Sequence, residues 1–240
     1  MDLEFSSFVL AAATTDLADE PAARGRADAV EFRMDLATDP LDALAGYDGR
    51  LPLVATNRPT WEGGEADPGV ERVDRLRAAV DHEAVAAVDV ELAALAGEIE
   101  GAVDPEAAAA LVEDAASEAA VVVSTHDFEG TPHCDRLREL LAEAAAWGDV
   151  AKLAVTAEGP GDVLDLLAVT WRATTRGETV ATMAMGEAGR HSRAVAPLYG
   201  SRIGYAPVDP AEATAPGQYD LGTLATLVER LQSGERGRSA

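Results

Sequence analysis

Eight short apolar segments, each followed by a stretch with helical features, constrain the fold of this 240-residue chain more than any other feature. The predicted strands cover residues 7–13, 29–34, 51–56, 86–92, 119–125, 150–155, 179–185 and 201–205. Helices are predicted over 17–24, 39–45, 70–80, from 104 onward, and over 131–147, 161–174 and 220–231. Because eight strand-helix units can close a barrel, we predict an α/β fold, a (β/α)8 TIM barrel that forms a single domain over residues 1–240.

A doubly wound sheet is the alternative fold. No G-x-G-x-x-G follows an early predicted strand, and the pair Gly63-Gly64 lacks that spacing, so a dinucleotide site has no support. The P-loop pattern is also absent, because the glycine spacing upstream of Lys152 is wrong for it. The segment 233–240 is rich in Gly, Arg and Ser, and we expect it to be frayed.

The charge balance limits the partners of the chain. It has 43 acidic and 19 basic residues, and the formal net charge of −24 would repel nucleic acid and anionic membranes. A composition so rich in carboxylates and so poor in lysine is typical of halophilic proteins, because concentrated salt screens the repulsion. Disorder is disfavoured, since 48% of the residues are apolar and they occur in periodic runs.

No apolar run reaches the roughly 18 residues of a membrane span, and the N-terminus lacks the pattern of a signal peptide. We therefore expect a cytoplasmic protein. The single cysteine, Cys134, excludes an internal disulfide bond. No pair of histidines has ligand spacing with a carboxylate, so the sequence does not imply a metal site.

Lys152 is the only lysine in the chain, and it lies within an apolar predicted strand. Arginine can replace a surface lysine, but it cannot become a neutral nucleophile because the guanidinium stays protonated in proteins. We therefore predict that Lys152 is retained for covalent chemistry. The alternative is a lysine that survived by chance, with its amine extending from a strand end to solvent.

Further polar side chains occur at or after the carboxyl ends of predicted strands, where TIM barrels build their sites. They are Glu31, Arg33, Arg58, Glu62, the segment Ser124-Thr125-His126-Asp127, Lys152 and Arg193. One such residue could form a structural ion pair, but the whole set converging on one end of a barrel indicates an active site. The arginines would also form a local positive region that attracts an anionic substrate.

Six motifs occur in order along the chain. They are Glu31-Phe32-Arg33-Met34-Asp35, Asn57-Arg58 with Trp61-Glu62-Gly63-Gly64, Ser124-Thr125-His126-Asp127-Phe128, Lys152-Leu153-Ala154-Val155, Gly189-Arg190-His191-Ser192-Arg193 and Ala215-Pro216-Gly217-Gln218. In order and spacing, over about residues 7 to 231, they resemble the type I 3-dehydroquinate dehydratases. Each motif alone is weak evidence, whereas six in register are strong.

The resemblance implies a (β/α)8 barrel, usually a homodimer, that converts 3-dehydroquinate to 3-dehydroshikimate in the shikimate pathway without a cofactor. By position, Lys152 matches the Schiff-base lysine and His126 the general acid/base, while Glu62 orients the histidine. The residues implied in substrate binding are Glu31, Arg33, Arg58, Arg193, Thr214 and Gln218. Thr214 stands where many members have serine.

Two other functions remain open at this point. A class I aldolase-like barrel also uses a strand-borne Schiff-base lysine, and Gly186 and Gly189 leave room for the phosphate loop of such enzymes. A non-catalytic barrel that binds acidic metabolites would bind ligand without forming an adduct at Lys152. For the polar segment 186–197 we expect a loop that carries Arg193 and could close on substrate.

Overall fold

The computed structural model describes residues 3–209, 211 and 215–236. Its strands lie in a single parallel sheet. They are β1 (Val9–Thr14), β2 (Ala29–Arg33), β3 (Leu53–Thr56), β4 (Val85–Glu91), β5 (Ala120–Asp127), β6 (Val150–Thr156), β7 (Val180–Met185) and β8 (Ile203–Pro207). Each predicted strand is present, with ends that differ by up to two residues.

Helices fill the connections between the strands. They are α1 (Glu20–Ala23), α2 (Pro40–Ala45), α3 (Val70–Val80), α4 (Leu92–Ala96), α5 (Pro105–Ala115), α6 (Cys134–Ala145), α7 (Pro160–Thr175), α8 (Gly186–Gly189), α9 (Ser192–Val195) and α10 (Leu221–Arg236). Proline opens α2, α5 and α7, where its missing N–H group would have no intrahelical partner. Short 3-10 helices cover Leu17–Asp19, Thr60–Glu62 and Ala196–Tyr199.

The sheet closes almost completely into a barrel. The strand order is β7-β6-β5-β4-β3-β2-β1-β8, and neighbouring strands pair in parallel. The two end strands meet at a bridge between Val180 and Ser201, where Arg202 N–H donates to the Val180 carbonyl at 2.7 Å. The predicted (β/α)8 barrel is therefore confirmed.

Side chains alternate between the two faces of every strand, and the alternation divides the barrel interior into layers. The lower interior is filled by apolar side chains such as Ala29, Val54, Ala87, Val122 and Val150. Two residues further along the strands, the inward positions become polar or charged. These positions hold Glu31 on β2, Asp89 on β4, Ser124 on β5 and Lys152 on β6.

The main core lies between the outer face of the strands and the helices. Phe32, Leu53, Leu137 and Leu166 are fully buried there, together with many alanine and valine side chains. Small side chains let the helices approach the sheet closely, so this layer holds the strands in the positions that the upper interior needs.

The structure differs from the predicted local structure at three places. The segment 186–197, predicted as a loop, contains α8 and α9. The buried Ser192 hydroxyl accepts a hydrogen bond from Ala184 N–H at 2.8 Å, and this contact holds the segment against β7. The short helix α4 directly after β4 was not predicted. The helix α10 continues past Ser233 to Arg236, since one glycine costs only about 1 kcal/mol in a formed helix. Residues 237–240 of the expected frayed tail lie outside the described chain.

Exposed carboxylates cover the outer faces of the helices. On α5 and α6 the exposed acidic residues are Glu106, Glu113, Asp114, Asp135, Glu139 and Glu143. The few nearby arginines form surface pairs, such as Arg138 with Asp135 at 2.9 Å. Surface pairs of this kind contribute little to stability, so most of the negative charge stays uncompensated.

We predict that salt stabilises this protein. Raising ionic strength from about 0.1 M to 1 M shortens the screening length from about 10 Å to about 3 Å, which weakens repulsion among the exposed carboxylates. Thermal melts should therefore show a higher Tm in molar KCl than in dilute buffer. An unchanged or lower Tm in molar salt would contradict the prediction.

Candidate active site

A cavity with about 500 Å³ of empty space lies at the carboxyl ends of the barrel strands. It contains every catalytic and substrate-binding residue that the family resemblance implies except Thr214, which lies outside the described residues. Of the polar segment 124–127, only His126 lines it. The lining residues are Glu31, Arg33, Arg58, Glu62, Gly63, His126, Phe128, Lys152, Ala154, Met183, Met185, Arg193, Tyr205, Ala215 and Gln218. Residues from all parts of the chain therefore converge on one site, as the barrel requires.

Lys152 points from β6 into this cavity, and only 4% of the residue is exposed. Its Nζ donates a hydrogen bond to Asp89 Oδ2 at 2.8 Å and lies 3.9 Å from Glu31 Oε1. Thr56 Oγ1 donates to the same Glu31 oxygen at 3.1 Å. Nζ also lies 4.2 Å from the centre of the Tyr205 ring. The amine is thus held at a fixed place in the cavity wall.

Asp89 joins Lys152 to Arg58. Its Oδ1 accepts from Arg58 Nη2 at 2.8 Å and from Ser124 Oγ at 2.6 Å, and Arg58 Nη1 donates to Glu91 Oε1 at 2.7 Å. Burial alone would raise the pKa of Asp89, but the charges of Arg58 and Lys152 outweigh it and hold the pKa far below its usual value. Asp89 is therefore a carboxylate.

His126 and Glu62 form a second pair in the cavity. The distance from His126 Nδ1 to Glu62 Oε2 is 2.8 Å. Burial and the charges of Arg58 and Lys152 lower the pKa of His126 well below its usual value. Burial raises the pKa of Glu62 to about 8, although the charge of Arg58 opposes the shift. The imidazole is neutral and carries one ring proton. When that proton lies on Nδ1, Nε2 is free to accept a second proton.

A tight turn after β3 places Arg58 and Glu62. Gly64 N–H donates to the Pro59 carbonyl at 3.0 Å, and a Cβ atom at Gly64 would lie 2.0 Å from the Arg58 carbonyl oxygen. Glycine is therefore required where the chain returns past Arg58. This requirement explains the second glycine of the Trp61-Glu62-Gly63-Gly64 motif.

The buried side chain of Arg72 on α3 contacts this turn from outside the barrel and stabilises it. Its Nη1 lies 2.6 Å from Glu91 Oε2 and donates to the Asn57 carbonyl at 3.3 Å, and its guanidinium lies 5.4 Å from the Trp61 ring centre. Asn57 Nδ2 donates in return to the Arg72 carbonyl at 3.1 Å. The turn that carries Arg58 and Glu62 is therefore tied both to α3 and to β4.

The arginines of the cavity differ in how they are compensated. Arg33 forms a bidentate pair with Asp35 at 2.8 and 2.7 Å, and Arg58 is surrounded by carboxylates. Arg193 is 4% exposed and forms no ion pair with any residue that the structure describes. Burial lowers its pKa to about 10, so it remains charged at neutral pH. The positive region predicted from sequence is thus concentrated at Arg193, which is suited to bind an anionic group.

Gln218 reaches the cavity through contacts of its own loop. Its Oε1 accepts from Ala215 N–H at 3.3 Å, and Gly186 N–H donates to the Pro216 carbonyl at 3.2 Å. Gly217 has a φ of +77°, and a Cβ atom there would lie 2.4 Å from the Gly186 carbonyl oxygen. The loop can therefore lie against the start of α8 because residue 217 is glycine.

Sequence reasoning missed four buried residues of the site, namely Asp89, Glu91, Arg72 and Tyr205. Asp89 and Glu91 could have been identified from the sequence. They interrupt an apolar strand at a spacing of two, so their side chains must face the same way. Arg72 had no such signal, since arginine on a polar helix is usually exposed.

In the described ranges no group of three or more His, Cys, Asp and Glu side chains could hold a metal ion. Among those residues, no helix is both long and apolar enough to cross a membrane.

Comparison with known proteins agrees with this geometry. A sequence model of the type I 3-dehydroquinase family matches residues 8–235. The 3-dehydroquinate dehydratase of Haloarcula marismortui is 60% identical over 96% of this chain and 99% of that protein, and that of Halobacterium salinarum is 51% identical over 96% and 100%. The crystal structure of 3-dehydroquinate dehydratase from Geobacillus kaustophilus superposes with a TM-score of 0.80 at 28% identity, covering 95% of this chain and 92% of that one. This chain belongs to the type I 3-dehydroquinase family.

Proposed function

We propose that this protein dehydrates 3-dehydroquinate to 3-dehydroshikimate in the shikimate pathway, through an imine on Lys152 and without a cofactor. The observation that carries the proposal is the position of the chain's sole lysine. It lies buried in a cavity that also contains a neutral histidine and Arg193, a cation that forms no ion pair within the described part of the chain. This arrangement supplies a nucleophile, a base and an anion-binding group within one site.

The reaction needs an electron sink. A β-hydroxy ketone loses water slowly because a carbanion must form beside the carbonyl. The ammonium group of Lys152 gives up one proton before its neutral amine attacks the ketone carbon, and that proton returns during the condensation, so that the carbonyl oxygen leaves as water and a protonated imine remains. Its positive nitrogen accepts the electrons of the breaking C–H bond and gives an enamine. The enamine then expels the hydroxyl group, and hydrolysis of the imine restores the amine.

His126 transfers the protons in this scheme. Its neutral imidazole removes the proton next to the imine carbon, and the resulting imidazolium donates that proton to the departing hydroxyl, which leaves as water. Glu62 Oε2 lies 2.8 Å from Nδ1 and fixes the ring orientation, and in the tautomer in which Nδ1 donates to the Glu62 carboxylate, Nε2 is the base. Met183 and Met185 add apolar wall to the cavity and help exclude water from the carbanion.

The remaining groups hold the substrate. Arg193 pairs with the substrate carboxylate, and Gln218 donates a hydrogen bond on the same side. Thr214, for which the family resemblance implies a binding role, lies outside the described residues. Glu31, Arg33 and Arg58 line the same cavity, where their fixed charges orient the hydroxyl groups of the ring. Arg193 supports this assignment because it has no carboxylate partner among the residues that the structure describes, and a buried cation in that situation is costly unless it binds an anion.

The direct test is incubation with 3-dehydroquinate. Formation of the conjugated enone should appear as a rise in ultraviolet absorbance. No rise with 3-dehydroquinate, together with cleavage of a sugar phosphate, would instead favour the aldolase-like function.

Replacing the nucleophile should separate binding from chemistry. With substrate present, borohydride should reduce the imine to a secondary amine and inactivate the protein irreversibly. Lys152→Arg keeps the charge but cannot attack, so we expect no adduct and loss of measurable turnover. Intact mass and peptide mapping measure the adduct.

The composition provides the control for this experiment. The only other primary amine in the 240-residue sequence is the N-terminal amino group, so a single addition should map to the peptide that contains Lys152. Trapping at Met1 alone, or full activity in Lys152→Arg, would contradict the mechanism.

His126→Ala should affect a different step. Loss of a general acid/base group lowers the rate about 100- to 10,000-fold, but imine formation needs only the amine and the ketone. Mass spectrometry after borohydride treatment should therefore still detect an adduct in this variant. Turnover equal to that of the wild type would remove His126 from the mechanism.

The titration of His126 can be measured directly. Since burial and the adjacent cations lower its pKa, the ring should stay neutral at pH 6.5 and gain a proton only well below that value. NMR titration of the histidine ring signals measures this midpoint, and the signal missing from His126→Asn identifies the residue. A midpoint at or above 6.5 would show that burial does not control its charge.

We also propose that the protein is a cytoplasmic homodimer, as is usual in this family. Light scattering at molar salt should give twice the mass of the 24.9 kDa chain. A mass of one chain would contradict the proposal.

A further inference from the structure

Tyr205 lies directly beside the reactive amine, although no motif marked it. It is an inward-facing residue of β8, 3% exposed, and its ring belongs to the apolar cluster that fills the barrel interior. The ring centre lies 4.2 Å from Lys152 Nζ, and Tyr205 also lines the cavity. The aromatic face is therefore part of the immediate environment of the nitrogen.

The other partners of that nitrogen are few. Within the described residues, Asp89 accepts the hydrogen bond from Nζ at 2.8 Å, and Glu31 Oε1 lies at 3.9 Å, beyond hydrogen-bonding distance. A cation over an aromatic face is attracted by the ring quadrupole, and the attraction grows when water is excluded. Because Lys152 is almost fully buried, this contact lies in the range where the attraction is largest.

We propose that the ring of Tyr205 positions Lys152 and stabilises the protonated imine during turnover. This inference rests on the Schiff-base mechanism proposed above. An ammonium group has three N–H donors, whereas a protonated imine has one, so hydrogen bonding to the nitrogen decreases when the imine forms. The positive charge remains, and with it the attraction to the ring, while a neutral imine gains nothing from the ring. The ring therefore favours the charged form, which is the electron sink.

The hydroxyl group of Tyr205 does not take part in stabilising the protonated imine. It has no hydrogen-bond partner among the residues described, and burial, together with Glu31 and Asp89, raises the pKa of Tyr205 well above 10. The side chain is thus a neutral phenol. Tyr205→Phe keeps the ring face and removes a buried polar group without a partner, so it should keep turnover within about 3-fold of the wild type.

A fluorinated series tests the ring at constant shape. Phenylalanines with one, two and three ring fluorines are introduced at position 205 by codon suppression, because fluorine progressively removes the negative charge of the face. We expect the borohydride trapping rate and kcat at saturating 3-dehydroquinate to fall stepwise, by about 10-fold in total. The KM should change less, since the ring acts on the nitrogen and not on the substrate carboxylate.

Conventional variants supply a second measurement. Tyr205→Leu removes the ring and should reduce trapping and kcat by about 10- to 30-fold. Phe8→Leu is the matched control, because Phe8 packs against the outer face of the same strand at Gly204. It should lower Tm without changing kcat. If Tyr205→Leu does not fold, the fluorinated series decides the question.

The outcomes separate the two proposals. An adduct in the wild type with a flat fluorinated series would overturn the role of the ring and leave the Schiff base in place. Absence of any adduct in the wild type would overturn the Schiff base and this inference with it. A stepwise fall in trapping rate with an intact fold would support both.

Discussion

A line of alternating buried charges holds the upper barrel together. It runs from Lys152 to Asp89, Arg58, Glu91 and Arg72, with contacts of 2.8, 2.8, 2.7 and 2.6 Å. Each of these residues is no more than 4% exposed, and a buried charge without a partner costs several kcal/mol. Every member is therefore stable only because its neighbours carry the opposite charge. Removing one partner from such a buried pair typically costs about 3–5 kcal/mol.

The same contacts arrange the chemistry. Arg58 and Glu62 share the turn after β3, and Arg72 fastens that turn to α3. The position of Glu62 determines where the His126 ring lies, and the position of Asp89 determines where the Lys152 amine lies. The proposed base and the proposed nucleophile are thus placed by one connected network, which fixes their geometry before substrate arrives. Groups fixed in advance need little reorganisation during a reaction, and this is a major source of catalytic power.

The surface and the interior of this protein respond differently to salt. The formal charge of −24 lies mainly on exposed carboxylates, whose interactions are screened within a few ångströms in molar salt. Apart from Arg193, the charges in the cavity are compensated pair by pair, and all of them are shielded from water, so salt screens them little. The surface can therefore adapt to concentrated salt while the electrostatics of the site stay constant. Arg193, buried without an ion-pair partner within the described ranges, keeps its attraction for an anion under the same conditions.

The sequence alone determined the barrel and much of the site. Apolar strands alternating with helices allow few folds, and the two-residue period of a strand places Glu31 beside Arg33 on the inner face. The absence of other lysines singled out Lys152, because chemistry explains its retention and surface charge does not. The motifs placed His126, Glu62, Arg193 and Gln218 at the same end of the barrel.

The tertiary structure decided which charges pair. Asp89 lies 63 residues from Lys152, and Ser124 lies 66 from Arg58, so no local pattern specifies these contacts. They form because parallel pairing places β4, β5 and β6 side by side, next to the turn that follows β3. Similarly, the sequence around Arg72 indicates a surface residue of a polar helix. Arg72 is buried because α3 packs over the turn after β3. The sequence around Tyr205 indicates a core residue of β8. Its ring lies against the Lys152 amine of β6 only because the barrel is closed. Local periodicity fixes which way a side chain points, whereas its partner depends on contacts between distant segments that exist only in the folded chain.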